Sequence, residues 1–389
     1  DETVADLDIG DPAAVARHAT RERYGLVVIG PEGPLAAGVG DALRSASVPA
    51  FGPGRDAARL ESSKAYAKRQ MARAGVPTAS AATFREAAAA VAHARAQDRP
   101  PVVKADWLAA GKGVVVPETH DEAEEAIHAL LAGAGPGASL VLEERLIGRE
   151  VSVFALVSGE AVAPLAAACD YKRLGDGEIG PNTGGMGAHA PVPWFGAREV
   201  EACTASVFEP IAWRMARDGT PYRGVLYAGL MVTDAGPMVL EFNARFGDPE
   251  AQVLLPLLNG QLTGALLGAA TGDAGLMAGS VAIGAGAAVG VVLASEGYPD
   301  DPTLGRRLTG ADPSGPQDDG PVLRFHAGTR ATPEGYLATG GRVATIVGLG
   351  PDLAAARREA YAGLAGAGLE GGQHRTDVGE RDAGDRGAA

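Results

Sequence analysis

Cysteine is nearly absent. Cys169 and Cys203 are the only two in 389 residues. That excludes a disulfide scaffold, and two thiols cannot complete a structural zinc site without help from histidine. A reducing, cytoplasmic setting suits such a chain. Long apolar runs are missing as well. No stretch of 18 or more occurs, so no membrane-spanning helix and no membrane partner are expected. The opening, DETVADLDIGDP, is acidic and polar, unlike a secretory leader. Basic residues are in deficit, 34 against 48 acids, for a net charge of −14. An extended nucleic-acid face is therefore excluded. A local basic cluster for a small anion is not.

Among the basic residues lysine is scarce. Lys64, Lys68, Lys104, Lys112 and Lys172 are the only lysines, and the other 29 basic residues are arginine. Against an arginine-rich background, a retained lysine marks a place where a compact ammonium serves and a planar guanidinium does not. Lys68 is the exception; one helical turn after Lys64, it reads as a solvated surface residue.

What is present alternates between helix and strand. Residues 13–24 read as a helix and YGLVVIGPEGP as a short buried parallel strand. LAAGVGDALRSA reads as one helix, VPAFGP as a second strand and turn, and DAARLESSKAYAKRQMARAG as one long helix stopped by Gly75 and Pro77. This βαβα order predicts a doubly wound parallel sheet, and the chain enters it after its opening strand and Gly-rich turn. A compact α+β module follows: a helix in FREAAAAVAHARAQ, strands PPVVKAD and SLVLEERL, and a helix THDEAEEAIHALLAG between them. Beyond it come strands EVSVFALVSG and AVAPLAAACD, a Gly-rich loop, helix 197–217, strand GVLYAGLMVT and a helix from about Pro249 to Leu258. The C-terminal part is β-rich, with one helix at 352–366. The polar tail after 375 is expected to fray. The domain limits expected are 1–77, 78–148, 149–286 and 287–380, with a tail at 381–389.

Four stretches carry chemistry. In KADWLAAGKGVVV a strand ends on Lys104, and the loop holds Gly111, Lys112 and Gly113. Glycines let backbone N–H groups approach phosphate oxygens, and lysines add point charge. It is not a P-loop, because G-x-x-x-x-G-K-[ST] is absent and a strand follows. In LVLEERLIGREVSV, Glu143, Glu144 and Glu150 flank a strand-to-strand crossing. They are either exposed edge acids or acceptors for an adenine amino group and ribose hydroxyls. The loop DYKRLGDGEIGPNTGGMGAHAP is too long for mere connection. Asp170, Lys172 and Arg173 open it directly after an apolar strand, and PNTGGMG can offer several donors to an anion. Finally, in LEFNARFGDPEAQ, Glu241, Asn243 and Arg245 alternate with Phe242, Ala244 and Phe246. An acid and an amide two residues apart supply oxygen ligands for Mg²⁺ with substrate phosphates, and Arg245 can meet a further anion. Asp248 and Pro249 read as N-cap and first residue of the next helix. G-x-S-x-G, a Cys-His signature and H-E-x-x-H are all missing. Positioning and charge stabilisation therefore point to phosphoryl transfer from ATP.

These stretches resemble the glycinamide ribonucleotide synthetase family of the ATP-grasp superfamily over nearly the whole chain. DYKRLGDGEIGPNTGGMGAHAPVP looks like its signature loop, and KADWLAAGKGVVV, LYAGLM, EFNARFGDPEAQ, FHAGT and GGRV follow in the family's order. The resemblance implies a multi-domain α/β protein of ATP-grasp fold. It would carry an N-terminal doubly wound parallel-sheet domain and a small β-rich C-terminal domain. It implies ATP-dependent joining of glycine to 5-phosphoribosylamine through a glycyl phosphate, with Mg²⁺ or Mn²⁺. By that resemblance Lys64 and Lys104 bind ATP phosphates, and Gly111, Lys112 and Gly113 cover them. Glu143 and the backbone near Leu146 meet adenine, and Glu150 meets ribose. Glu241 and Asn243 hold the metal. Asp170, Lys172 and Arg245 act on the reacting groups. Glu32, Arg173, Asn182, Thr183, Gly184, Gly185 and Asp248 line the glycine and phosphoribosylamine pocket. The chain departs from the family in lacking the first strand and Gly-rich turn, and in Trp107, which stands where the family has glycine. A monomer is expected. The residues alone also allow a non-catalytic ATP-binding protein, or a ligase for another acid and amine.

Overall fold

The computed structural model describes residues 4, 6–109, 113–310 and 320–383. They form two compact units. The first comprises residues up to Leu165, Val200–Phe246 and Gly260–Val281; the second comprises Ala166–Glu199, Gly247–Asn259 and the residues from Ala282 onward.

The first unit begins with helix Pro12–Arg21, whose N-terminal amides at Ala13 and Ala14 are capped by Asp11. Strands Val27–Val28 and Ala50–Phe51 pair in parallel. The expected burial of the first strand fails at Val28, which is 47% exposed; with this single partner, one edge stays uncovered. The helix expected from LAAGVGDALRSA is two, Glu32–Ala37 and Val39–Ser45. Gly38 separates them at φ +94°, a left-handed conformation that glycine adopts without a Cβ penalty. The long helix expected at 56–75 is also two, Arg55–Ser62 and Lys64–Ala74. Ser63 is extended at φ −143° and caps Tyr66 N. Asp106 accepts from both the Ser63 hydroxyl (2.8 Å) and Ala65 N (2.9 Å). A carboxylate 43 residues downstream thus supplies the break.

An antiparallel sheet follows, in the order Ala81–Phe84, Leu140–Glu143, Val102–Ala105, Val114–Val115. Helices Ala87–Arg95 and His120–Ala132 cover it through Ala90, Ala94 and Ile127, which pack on Val103, Leu140 and Leu142. Trp107 packs against this cluster, so the ring that departs from the family pattern covers the small module's core. A second antiparallel set orders Gly236–Asn243, Arg223–Thr233 and Arg149–Ser158. Before it, the helix expected at 197–217 is present but carries a π turn at Thr204–Phe208.

In the second unit, the end of strand Ala161–Asp170 pairs with Gly187–Ala190, which continues to Ala287–Ala294, Arg342–Gly350 and Val322–His326. Helix Leu353–Ala365 packs on this antiparallel sheet through Leu353, Ala356, Ala360 and Leu364. A smaller sheet orders Thr329–Thr332, Gly335–Ala338, Arg307–Thr309 and Gly368–Leu369. Two expectations need correction here. The Gly-rich stretch is no open loop: Arg173–Gly175 and Ile179–Asn182 form a hairpin inside it. Nor does the tail fray at 375. Arg375 is 1% exposed, Val378 is buried, and Glu380–Ala383 is helical. The Arg375 guanidinium is neutralised by Asp377 and Glu178 and lies 4.7 Å from the Tyr171 ring.

Candidate functional site

In the first unit the expected phosphate-binding lysines converge. Lys64, the first residue of its helix, places Nζ 2.9 Å from Glu241 Oε2. Lys104, on strand Val102–Ala105, donates to Glu143 Oε2 (2.9 Å) and to the carbonyl of Leu240 (3.1 Å), the residue before Glu241. Lys68, expected in solvent, instead lies 3.1 Å from Glu143 Oε2 and donates to Thr78 Oγ1 and Ala79 O. Three of the five lysines therefore crowd two carboxylates. Glu143 is 2% exposed, and its Oε1 has no hydrogen-bond partner among the described residues. The expected adenine acceptor is thus a buried counter-ion first.

Electrostatics separates the lysines. Burial pushes the Lys64 ammonium down, but Glu241, through charge and hydrogen bond, with Glu143 and Glu61 behind it, moves its pKa above the ordinary value. For Lys68 burial dominates, Lys104 adds repulsion, and the pKa falls despite Glu143. Its carboxylate partners thus favour the charged form of Lys64, whereas burial and Lys104 disfavour that of Lys68.

Glu241 and Asn243 lie on strand Gly236–Asn243, half-buried, while Phe242 and Ala244 between and beyond them are buried. The alternation read from the sequence holds, but the strand ends at Asn243, and Arg245 lies beyond it. Arg245 is fixed by Glu61 (3.1 Å) and Glu32 (3.6 Å). Sequence reasoning missed Glu61. Its other oxygen accepts from Ala244 N at 2.7 Å. Burial raises its pKa; Arg245 and the Ala244 amide oppose this, while Glu32 and Glu241 add to it. One signal was available: Glu61 sits in the last turn of helix Arg55–Ser62, where the helix dipole disfavours an anion. Leu146 and Glu150 lie along the segment from Glu143 into strand Arg149–Ser158, with Leu146 half-buried and Glu150 exposed. Gly113 is described; Gly111 and Lys112 lie outside the described residues.

The second unit holds the glycine-rich residues. Asp170 and Lys172 face each other at 4.0 Å. Arg173 donates to Gly180 O across the hairpin, whose other strand ends at Asn182. Thr183 donates to the carbonyl of Lys172 from both its amide and its hydroxyl. Asp248 does not cap the following helix. That helix is Glu250–Leu254, Pro249 is its N-cap without a side-chain bond, and a 3₁₀ turn continues it to Leu257. The carboxylate of Asp248 is taken by Arg342 (2.8 Å) and by Gln252 (2.8 Å). Arg342 also donates to Gly184 O (2.8 Å) and Asp248 O (2.7 Å), and Tyr298 accepts from Gly184 N. Arg342 and Tyr298 were not anticipated as site residues; Arg342 lies in the motif GGRV, whose role no local pattern shows. Gly185 is at φ +110°, and a Cβ there would lie 2.5 Å from Pro249 Cδ.

Comparison with known proteins agrees with this architecture. Three family models match in chain order: the N domain of phosphoribosylglycinamide synthetase at residues 1–61, its ATP-grasp (A) domain at 62–251 and its C domain at 288–381. A phosphoribosylamine–glycine ligase of Streptomyces coelicolor is 48% identical over 97% of this chain and 89% of its own length. The Mycobacterium leprae enzyme of the same name is 45% identical, over 96% and 87%. The crystal structure of phosphoribosylamine–glycine ligase from Thermotoga maritima superposes with a TM-score of 0.71 at 35% identity, covering 84% of this chain and 81% of that one. A biotin carboxylase from Campylobacter jejuni shares the fold at 17% identity and a TM-score of 0.70, over 95% and 80%.

Proposed function

The chain belongs to the phosphoribosylglycinamide synthetase family, and on that premise we infer how its residues divide the work of the reaction. The reaction is the ATP-dependent joining of glycine to 5-phosphoribosylamine in purine biosynthesis. Its products are glycinamide ribonucleotide, ADP and phosphate. We propose two steps. A carboxylate oxygen of glycine bonds to the γ-phosphorus of ATP as the β–γ bridging bond breaks and ADP leaves. The amine of phosphoribosylamine then bonds to the acyl carbon of glycyl phosphate, phosphate departs, and the amine gives up a proton.

Lys64 and Lys104 grip the phosphates. The observation that carries this is their convergence on one strand: Lys64 on Glu241 and Lys104 on the Leu240 carbonyl. Glu143 holds Lys104 and Lys68 in place, so its service to adenine is through Oε1 alone. The backbone near Leu146 meets the adenine ring and Glu150 meets the ribose. Gly113 would meet the phosphates; Gly111 and Lys112, expected beside it, lie outside the described residues.

The donor set fits a hard divalent cation. Glu241 and Asn243 offer oxygens from one strand face. Glu61 and Glu32 flank Arg245 beside this strand, so further carboxylates lie near the proposed ligands. Glu241 and Asn243 would hold the ion, and Mg²⁺ is the proposed occupant, with Mn²⁺ as substitute. When bound, it supplies neutralisation of charge on the transferring phosphoryl group. Arg245, set by Glu61 and Glu32, adds a positive group of fixed direction. In the second unit, Asp170, Lys172, Arg173 and the amides from Asn182 to Gly185 bind the substrate anions, with Asp248 oriented by Arg342. The chain acts as a monomer in the cytoplasm. Among the described residues, no helix is long and apolar enough to cross a membrane.

The test is ADP release measured with both substrates and with each alone. Release that needs glycine and phosphoribosylamine together supports the assignment. Release with another acid and amine, or ATP binding without turnover, overturns it.

A further inference from the structure

Outside these sites, one cluster in the second unit combines a thiol, an imidazole and a carboxylate. Cys169 and His189 are direct partners across the antiparallel pair of strands Ala161–Asp170 and Gly187–Ala190. Asp382 comes from helix Glu380–Ala383. One ligand atom from each lies within 4.8 Å of the others. His189 is fully buried and Asp382 is 5% exposed.

The geometry differs from that of a simple histidine–aspartate pair. His189 Nε2 is 3.1 Å from Asp382 Oδ2, yet it is not aligned for a hydrogen bond and has no hydrogen-bond partner among the described residues. A buried ring nitrogen without a partner is costly. Two ligands that approach without pointing at one another are what a shared ion between them requires. In a tetrahedral zinc site with bonds of about 2.0–2.3 Å, ligand atoms stand roughly 3.3–3.7 Å apart, so the His189–Asp382 pair at 3.1 Å would open slightly on binding. The outer groups fit as well. Tyr171 Oη lies 3.4 Å from His189 Nδ1, and the Trp194 indole donates to Asp382 Oδ2 at 3.1 Å. Such partners orient the imidazole and carboxylate ligands of metals.

We propose that Cys169, His189 and Asp382 bind one divalent ion of the zinc class, with a fourth position left to water. Cys169 loses its thiol proton to solvent on binding. A thiolate and an imidazole select against Mg²⁺ and Ca²⁺, so this ion differs in kind from the one assigned to Glu241 and Asn243. Cys169 and His189 bracket the glycine-rich stretch 170–188. The ion therefore ties both ends of that stretch to the helix bearing Asp382.

The experiment uses the full chain, purified under reductant, stripped with chelator and titrated with Co²⁺. The expected result is one equivalent bound with thiolate-to-cobalt charge-transfer absorption. That absorption disappears in Cys169→Ser and persists in Cys203→Ala. Trp194→Phe weakens binding about 10-fold, as loss of an outer partner does. Absence of the band in the wild type, or its survival in Cys169→Ser, overturns the proposal. Should Cys169→Ser not fold, X-ray absorption of the zinc-loaded wild type decides. One sulfur neighbour at about 2.3 Å supports the site, and a shell of nitrogen and oxygen alone overturns it.

Discussion

The anion sites proposed for the two units are built differently. In the first they are buried and half-buried side chains: Lys64, Lys68 and Lys104 crowd Glu241 and Glu143, with Arg245 against Glu61 and Glu32. In the second, the backbone of a glycine-rich stretch is shaped by arginines that touch it from outside, Arg342 on Gly184 and Arg375 on the Arg173 carbonyl. The first arrangement would place side-chain charge at a nucleotide's phosphates. The second fixes amide directions between the charged ends of the stretch. Damage to the first should therefore appear in turnover and ATP affinity, and damage to the second in substrate KM and stability.

The largest effect is expected from Glu241→Gln. It removes one ligand charge and releases Lys64 from the partner that raises its pKa. We expect kcat to fall by about 10²–10³-fold, measured as ADP formation at saturating substrates and ordinary Mg²⁺. Unchanged turnover would remove Glu241 from the metal assignment.

Lys104→Ala and Lys68→Ala sharpen the comparison within the first unit. Lys104→Ala should weaken ATP binding by roughly 10-fold or more, because a charge-assisted phosphate contact is lost. Lys68→Ala should change ATP affinity little. Like Lys104→Ala, it should lower stability by about 3 kcal/mol, since either change takes one of two cations from the 2%-exposed Glu143. Calorimetric ATP titration beside denaturant unfolding separates the two. Equal effects on ATP would mean that both lysines face the nucleotide.

This contrast also marks where the sequence was legible. Strand Gly236–Asn243 and its alternating faces followed from period-2 patterning. The small α+β module followed from capped helices between apolar runs. What local reading could not supply were partners distant in the chain. Ser63 breaks a helix because Asp106 takes its hydroxyl. Lys68 leaves solvent because Glu143, 75 positions later, accepts it. The tail holds to residue 383 because Arg375 is buried between Asp377 and Tyr171. Lys64, Lys104, Glu241 and Asn243, proposed for phosphate and metal, stand out in the sequence as residue types suited to those ligands. Glu61, Arg342 and Tyr298 touch other groups rather than standing out themselves: Glu61 and Tyr298 carry no motif, and GGRV does not show what Arg342 contacts.

In the second unit, Gly185→Ala tests the claim that backbone shape binds. The residue sits at φ +110°, and the added Cβ meets Pro249. A cost of about 2–3 kcal/mol is expected from strain and contact together, with a raised KM for the substrate that uses the loop and ATP affinity unaltered. A matching loss of ATP affinity would break the proposed division between the units.

The smallest effect concerns the foot of the hairpin, and its sign follows from ionisation. Burial alone would raise the pKa of Asp377. Hydrogen bonds from Arg375 and the Gly177 amide overcome this and hold it at about 2, against 3.8 for the free group. A depressed folded-state pKa gives stability that is present above the unfolded value and lost as pH falls through the folded one. That stability is fully present near neutrality and fades as pH falls from about 4 to about 2. Asp377→Asn should therefore be less stable than the wild type at pH 7, and the gap should narrow between pH 4 and pH 2. Denaturant midpoints for both proteins across that range provide the check. A gap independent of pH would show that Asp377 supports the glycine-rich stretch by packing rather than by charge, and the base of the hairpin would then be held by other means than the lysine–carboxylate cluster of the first unit.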